Sequence, residues 1–376
     1  MDRAWSFTIG CPSPTWTWRV CWRRWTLFRR TGRVPAGFSP GVMKDLSSQD
    51  ASAMPTETVT LPEGKPGGRL MLLAKLAVTL AVLGVLGVKA DWPALLARVA
   101  GADPVWLGAG FLAKFLSVVC AAERWRDSLW AAGERVSHGL AMRLMFTGLF
   151  FGQVLPGALG GDVVRGWLTY RGGASSSAVV LALVLDRLLA LVGCILLLFL
   201  GLPHLVATAP PSVAWAGPVA VVLLAVGLLA GLQVDRIPLP GILLRPPVRA
   251  AQAQVARLRG ALFGRPALVG LLHSAAVHLC TIFAVIAYAH ALGIPVRVLD
   301  ALAVVPMTIF AAALPISLNG WGVREGAFVA GFALYGLGAT DALALSLMIG
   351  LSVTLSSLPG GLLWLSLKGS KEVGRP

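Results

Sequence analysis

The sequence predicts an all-α polytopic membrane protein with about six full spans and two Gly/Pro-broken re-entrant hairpins, arranged as an inverted-topology repeat. Composition predicts the class: 56% of the 376 residues are hydrophobic and 13% charged, with a mean hydropathy of +0.77. A water-soluble chain carries nearer a quarter charged residues, so a soluble enzyme is excluded. Apolar runs of about 20 residues, the length needed to cross roughly 30 Å of hydrocarbon, predict the spans. A Gly/Pro-rich motif that returns in the second half of the chain predicts the repeat.

Residues 1 to 66 stand apart as a basic tail, in which Trp5, Trp16, Trp18, Trp22 and Trp25 interleave with Arg19, Arg23, Arg24, Arg29, Arg30 and Arg33. No apolar run suited to a secretory signal follows these arginines. Two readings of the tail stay open. Its rings and guanidinium groups suit a membrane surface, or the start lies downstream at Met43 or Met54, in keeping with the missing helical or strand period.

From residue 67 to 370 the chain reads as one transmembrane domain. Strong apolar runs cover about 70 to 88, 104 to 122, 178 to 201, 213 to 233, 267 to 291 and 342 to 367, with weaker, broken runs at 140 to 158, 299 to 317 and 325 to 338. Loop charge orients them. Residues 202 to 212 hold no Lys or Arg, whereas 234 to 266 hold Arg236, Arg245, Arg249, Arg257, Arg259 and Arg265, so the first loop is outside and the second inside. The formal charge of +15 is explained by such loops facing anionic lipid headgroups, and no nucleic-acid partner is expected.

Arg124, Arg126 and Arg135 before the 140 to 158 run, and Arg165 and Arg171 after it, place both flanks on the cytoplasmic side. The stretch between them therefore enters the membrane and returns. Pro156, Gly160 and Gly161 supply the break, since Pro removes a helix donor and Gly tolerates unusual dihedrals. Leu155, Pro156, Leu159, Gly161 and Arg165 match Leu314, Pro315, Leu318, Gly320 and Arg324 at one constant offset, with Asn319 inside the second break. Three crossings and one hairpin per half would invert the second copy, placing two discontinuous elements near the midplane. In the alternative, 299 to 317 and 325 to 338 are two short complete spans. Either way both termini are cytoplasmic.

A charge at membrane depth costs several kcal/mol unless it is paired or hydrated, so each such residue is a site candidate. The candidates for substrate binding are Asp162, Arg165, Asp186, Arg187, Arg324 and Glu325. Arginines in such a cavity hold a phosphate by bidentate hydrogen bonds while the acids position them; in the competing view the same residues are internal ion pairs. His278 reads first as a hydrogen-bonded packing residue, and the Gly148/Gly152 pair as a chance spacing in a Gly-rich chain. No HExxH, cysteine cluster or acidic metal motif occurs, and no GxxxxGK[ST], so neither a metal, a cofactor nor intrinsic ATP-driven pumping is expected.

Glu123-Arg124-Trp125, Leu155-Pro156 with Gly160-Gly161-Asp162 and Arg165, Asp186-Arg187-Leu188, and Pro315 with Ser317, Gly320, Gly322, Arg324 and Glu325 together resemble the flippase-like transmembrane domain of lysylphosphatidylglycerol synthases. The resemblance covers about residues 66 to 370. In fused members this domain is associated with moving aminoacylated phosphatidylglycerol, and a soluble carboxyl-terminal domain makes that lipid from charged transfer RNA. Only a few residues follow the last apolar run here, so the resemblance implies transport of a membrane lipid across the bacterial cytoplasmic membrane, with a separate lipid-synthesising enzyme as a compatible partner and a homo-oligomer as a compatible assembly. Asn319 and Trp321 depart from a plainer Gly-rich run and leave the headgroup open. The competing class is a membrane-embedded transferase or accessory subunit of lipid or glycolipid biosynthesis, which would need a nucleophile or carboxylate set that the sequence does not display.

Overall fold

Short polar side chains and prolines set the helix starts. Asp103 accepts from the Val105 amide at 2.8 Å with Pro104 behind it, and Ser137 and Ser175 cap the next helices by accepting from Leu140 and Ala178, each at 3.2 Å. The computed structural model describes residues 66–89, 91–155, 160–210, 215–236, 246–313, 317 and 320–369. These residues form twelve α-helices and one 3₁₀ turn, without a strand among them. The amino-terminal tail, Pro156, Pro315 and Asn319 lie outside the described residues.

The helices are α1 (Pro66–Lys89), α2 (Trp92–Ala100), α3 (Pro104–Ala131), α4 (His138–Val154), α5 (Gly160–Arg171), α6 (Ser176–Thr208), α7 (Ala216–Gly231), α8 (Pro246–Leu262), α9 (Arg265–Ala291), α10 (Val298–Ala313), α11 (Val323–Ala333) and α12 (Ala339–Gly369). Four are long and apolar enough to cross a membrane: α3, α6, α9 and α12. The chain is a multi-pass helical membrane protein.

The expected spans at 70 to 88 and 213 to 233 are less regular: α1, 24 residues long, passes as a fifth span in one bent unit with α2, and α7 is shorter than a span. Apolar α1 turns by 82° into α2, where Asp91 and Pro93 start a new helix. Helix α7 has 16 residues, or about 24 Å at 1.5 Å per residue, because Pro210 and Pro211 precede it and Gln233, Asp235 and Arg236 follow it. Beyond it, Arg259 of α8 donates to Asp235 at 2.5 Å and holds that carboxyl below the usual carboxylate range.

At the first break α4 and α5 pack on each other through glycines. A Cβ on Gly148 would lie 2.9 Å from the Gly161 carbonyl, and one on Gly161 would strike the Gly148 carbonyl and meet Gly152 at 3.3 Å. The Gly148/Gly152 spacing is therefore no chance occurrence: it is the contact along which α5 folds back on α4. Gly161→Ala is expected to cost about 1–3 kcal/mol by overpacking this contact, read as a lower melting temperature in detergent. An unchanged melting temperature would show that the two helices can separate freely.

At the second break Gly320 and Gly322 have φ of +78° and +84°, a left-handed backbone that favours glycine. The helix that follows, α11, has 11 residues, about 17 Å, too short to cross roughly 30 Å. That length argues against two complete spans in this region.

Helices α3 to α6 contain 28, 17, 12 and 33 residues, and α9 to α12 contain 27, 16, 11 and 31 in the same order. The two sets exchange partners. Helix α3 lies along α9, α4 packs on α12, and α10 packs on α6. The α3–α9 pair is antiparallel, since Gly110 meets Tyr288, Lys114 meets Thr281 and Asp127 meets His273. Buried apolar residues gather around Val285, Val304, Phe328 and Leu345 in the second set and around Trp125, Leu129 and Leu185 in the first.

Candidate functional site

Helix α5 opens with Gly160-Gly161-Asp162, and the spacing of three puts Asp162 and Arg165 on one face. Arg165 Nη2 donates to Asp162 Oδ1 at 3.0 Å and to Asp186 Oδ2 of α6 at 3.1 Å. Asp186 Oδ1 accepts from Arg124 Nε of α3 at 2.9 Å. Asp162 Oδ2 accepts from Arg187 Nε at 2.7 Å and also from Arg187 Nη2. Arg124 Nη1 reaches Ser274 Oγ of α9 at 3.4 Å. The result is an alternating line, Arg124, Asp186, Arg165, Asp162, Arg187, which stitches α3, α5 and α6 together with α9 at its end.

Burial differs along the line. The side chains of Arg165 and Asp186 are each 3% exposed, whereas that of Arg187 is 54% exposed. Asp186 lies about 15 Å along α6 at 1.5 Å per residue, deep inside an apolar helix. The guanidinium of Arg165 also sits 4.1 Å from the ring centroid of fully buried Trp125, a cation–π contact that fixes its plane.

All five charged side chains line a cavity of about 390 Å³, with Met145 and Gly148 of α4 on one wall and Ala312 and Ala313, the end of α10, on another. Three guanidinium groups against two carboxylates leave one positive charge uncompensated. Donors also remain unspent. Buried Arg165 Nε has no partner among the described residues, and Arg165 Nη1 finds only the weakly accepting Met145 Sδ at 3.5 Å. The cavity thus offers a planar cationic fork to an anion of phosphate or carboxylate type.

Of the sequence candidates, Asp162, Arg165, Asp186 and Arg187 converge here, with Gly161 of the break beside them. Arg324 and Glu325 do not line this cavity. Arg324 Nε donates to Glu325 Oε1 at 2.9 Å and its guanidinium stacks 4.5 Å from the Trp321 ring centroid, while fully buried Glu325 accepts from the Gly322 amide at 2.6 Å. That pair caps α11 and ties it to Ser346 of α12. Arginines at matching sequence positions therefore have different surroundings.

Arg124 and Trp125 stand outside the sequence candidates, because Arg124, Arg126 and Arg135 mark residues 123 to 139 as a cytoplasmic flank. Helix α3 instead continues to Ala131, and its last turns carry Arg124 inward and Arg126 toward Glu123, at 2.7 Å. The signal available was the spacing of Arg124 and Trp125 after an apolar run, which continues the helix without a breaker.

Comparison with known proteins bears on the same region. The family described as "Lysylphosphatidylglycerol synthase TM region" matches residues 72–360, which include every charged residue of the line. A UPF0104 membrane protein of Methanothermobacter thermautotrophicus is 29% identical over 100 residues, 27% of this chain and 28% of that relative's length. With four clear spans among the described residues and a family match over most of its length, the chain belongs to the lysylphosphatidylglycerol synthase transmembrane-region family.

Proposed function

We propose that the chain is a lipid transporter that moves the headgroup of an anionic phospholipid or glycolipid across the cytoplasmic membrane, without a catalytic step of its own. The observation that carries the reading is the 390 Å³ cavity with one surplus positive charge, built at a helix break inside a membrane protein. A phosphate offered to Arg165 and Arg124 finds charge-assisted donors already oriented by Asp186 and Trp125. Family membership supports a lipid as the cargo.

In this reading α1 to α6 and α7 to α12 are inverted-topology repeats, supported by the matched helix lengths, the exchanged packing partners and the antiparallel α3–α9 pair. Both termini face the cytoplasm, a separate enzyme makes the lipid, and the energy comes from the membrane potential, a proton gradient or the lipid gradient. The test is reconstitution of the full chain in vesicles that carry fluorescent phosphatidylglycerol in one leaflet. Transbilayer movement is expected to exceed that in protein-free vesicles, as followed by quenching from the outside. Equal rates with and without protein would overturn the proposal.

A further inference from the structure

The seam between α3 and α9 holds titratable groups that the charged line does not use. Ser274, His278 and Thr281 follow one another at spacings of four and three on α9, which puts them on one face. Ser274 meets Arg124 at one end of this row, and Thr281 meets Lys114 at the other, Nζ to Oγ1 at 3.1 Å. His278 lies between and is buried. Its Nε2 is 3.0 Å from the Ala190 carbonyl of α6; a carbonyl only accepts, so Nε2 carries the hydrogen. Nδ1 is then a bare lone pair, buried and without a partner among the described residues. An orphaned acceptor is costly to keep, and this one is a basic nitrogen where a proton can bind.

Lys114 has an equally one-sided environment. Thr281 donates its own hydrogen to the Val277 carbonyl at 2.9 Å, so it accepts from Lys114 and brings no negative charge. The charged or titratable groups that act on Lys114 are Arg324 from α11 and Cys280 from α9, and those that act on His278 are Arg124 and Lys114 from α3. No carboxylate is among them. Both arginines are permanently charged but already spent on carboxylates, Arg124 on Asp186 and Arg324 on Glu325, so a proton held by His278 and Lys114 together has no carboxylate of its own in this low-dielectric seam. An anion beside Arg124 supplies the missing negative charge.

The geometry points to a proton site shared by His278 and Lys114, filled when an anionic headgroup occupies the Arg124–Arg165 cavity, so that lipid movement carries a proton. The inference rests on the transport reading above. Coupling is reciprocal: an anion that favours the proton is itself held more tightly once the proton is bound.

The test reconstitutes the full chain in phosphatidylcholine vesicles with fluorescent phosphatidylglycerol, a trapped pH dye and the membrane potential clamped by potassium and valinomycin. With one proton per lipid, a gradient of about one pH unit supports a roughly tenfold lipid asymmetry between leaflets, and the dye reports proton movement alongside it. In His278→Gln and in Lys114→Gln the asymmetry is expected to fall below about twofold, less than a quarter of the wild-type response. Wild-type lipid movement that ignores the gradient overturns proton coupling and leaves the transport reading standing; no lipid movement at all overturns both. A full gradient response in both variants overturns the assignment to these two residues. The wild-type arm decides the coupling even where a variant fails to fold.

Discussion

Asp186→Ala is expected to lower the stability of the detergent-solubilised protein by about 3–5 kcal/mol, the cost of stranding buried charge when one partner of an ion pair is removed. Asp186 is the central acceptor of the line, bonded to Arg124 on one oxygen and to Arg165 on the other. Both guanidinium groups are buried, with side chains 10% and 3% exposed. Without the carboxylate, Arg165 keeps Asp162 as its one charged partner, beside Met145 and the Trp125 ring, and Arg124 keeps a long contact to Ser274. A fall of several degrees in melting temperature checks the expectation. Removing Asp186 together with Arg165, as Asp186→Leu with Arg165→Met, is expected to recover part of the loss, because fewer charges remain unpaired. A single variant that melts like the wild type would show that water reaches these arginines freely.

Arg165→Ala is expected to slow lipid movement by roughly 10- to 100-fold, the kinetic equivalent of losing a charge-assisted hydrogen bond of about 1.5–3 kcal/mol. The variant also loses the contact with Trp125, so its melting temperature has to be recorded beside the rate. Arg165→Lys is expected to restore only part of the rate, since an ammonium keeps the charge but loses the planar fork and the stacked plane. Arg324→Ala is expected to act first on stability, because that guanidinium is bonded to Glu325 and Ser346. Normal lipid movement in Arg165→Ala would remove the cavity from the transport path.

The order of elements was legible because apolar runs and Gly/Pro breaks are properties of local sequence. Arg165 and Asp186 could be singled out for the same reason: a charge amid apolar neighbours needs a partner. What pairs with what was not legible. Arg165 and Arg324 look equivalent at a constant offset, yet Asp162 three residues before Arg165 leaves that side chain free to reach α6, while Glu325 directly after Arg324 claims it locally. Arg124 was hidden by its charged neighbours, which signal a loop end unless the helix is known to continue. Lys114 drew no notice because its partner, Thr281, is distant in sequence. The Gly148–Gly161 contact likewise joins positions whose closeness depends on the chain turning back between them.

A final consequence follows from the alternation of charges along the line. Asp162 sits at the rim, its side chain 16% exposed, and presents carboxylate oxygens to Arg165 and Arg187. A phosphate presents oxygens of the same kind. An arriving headgroup can therefore replace Asp162 as acceptor one contact at a time, with the number of ionic bonds nearly conserved at each stage. In the proposed transport reading, such an exchange of acceptors would spare the buried arginines a stage as bare, dehydrated charges, and loading and unloading would each proceed by small steps. For a carrier, which has to release what it binds, a resident carboxylate of this kind would act as a stand-in that takes the arginines back when the ligand leaves.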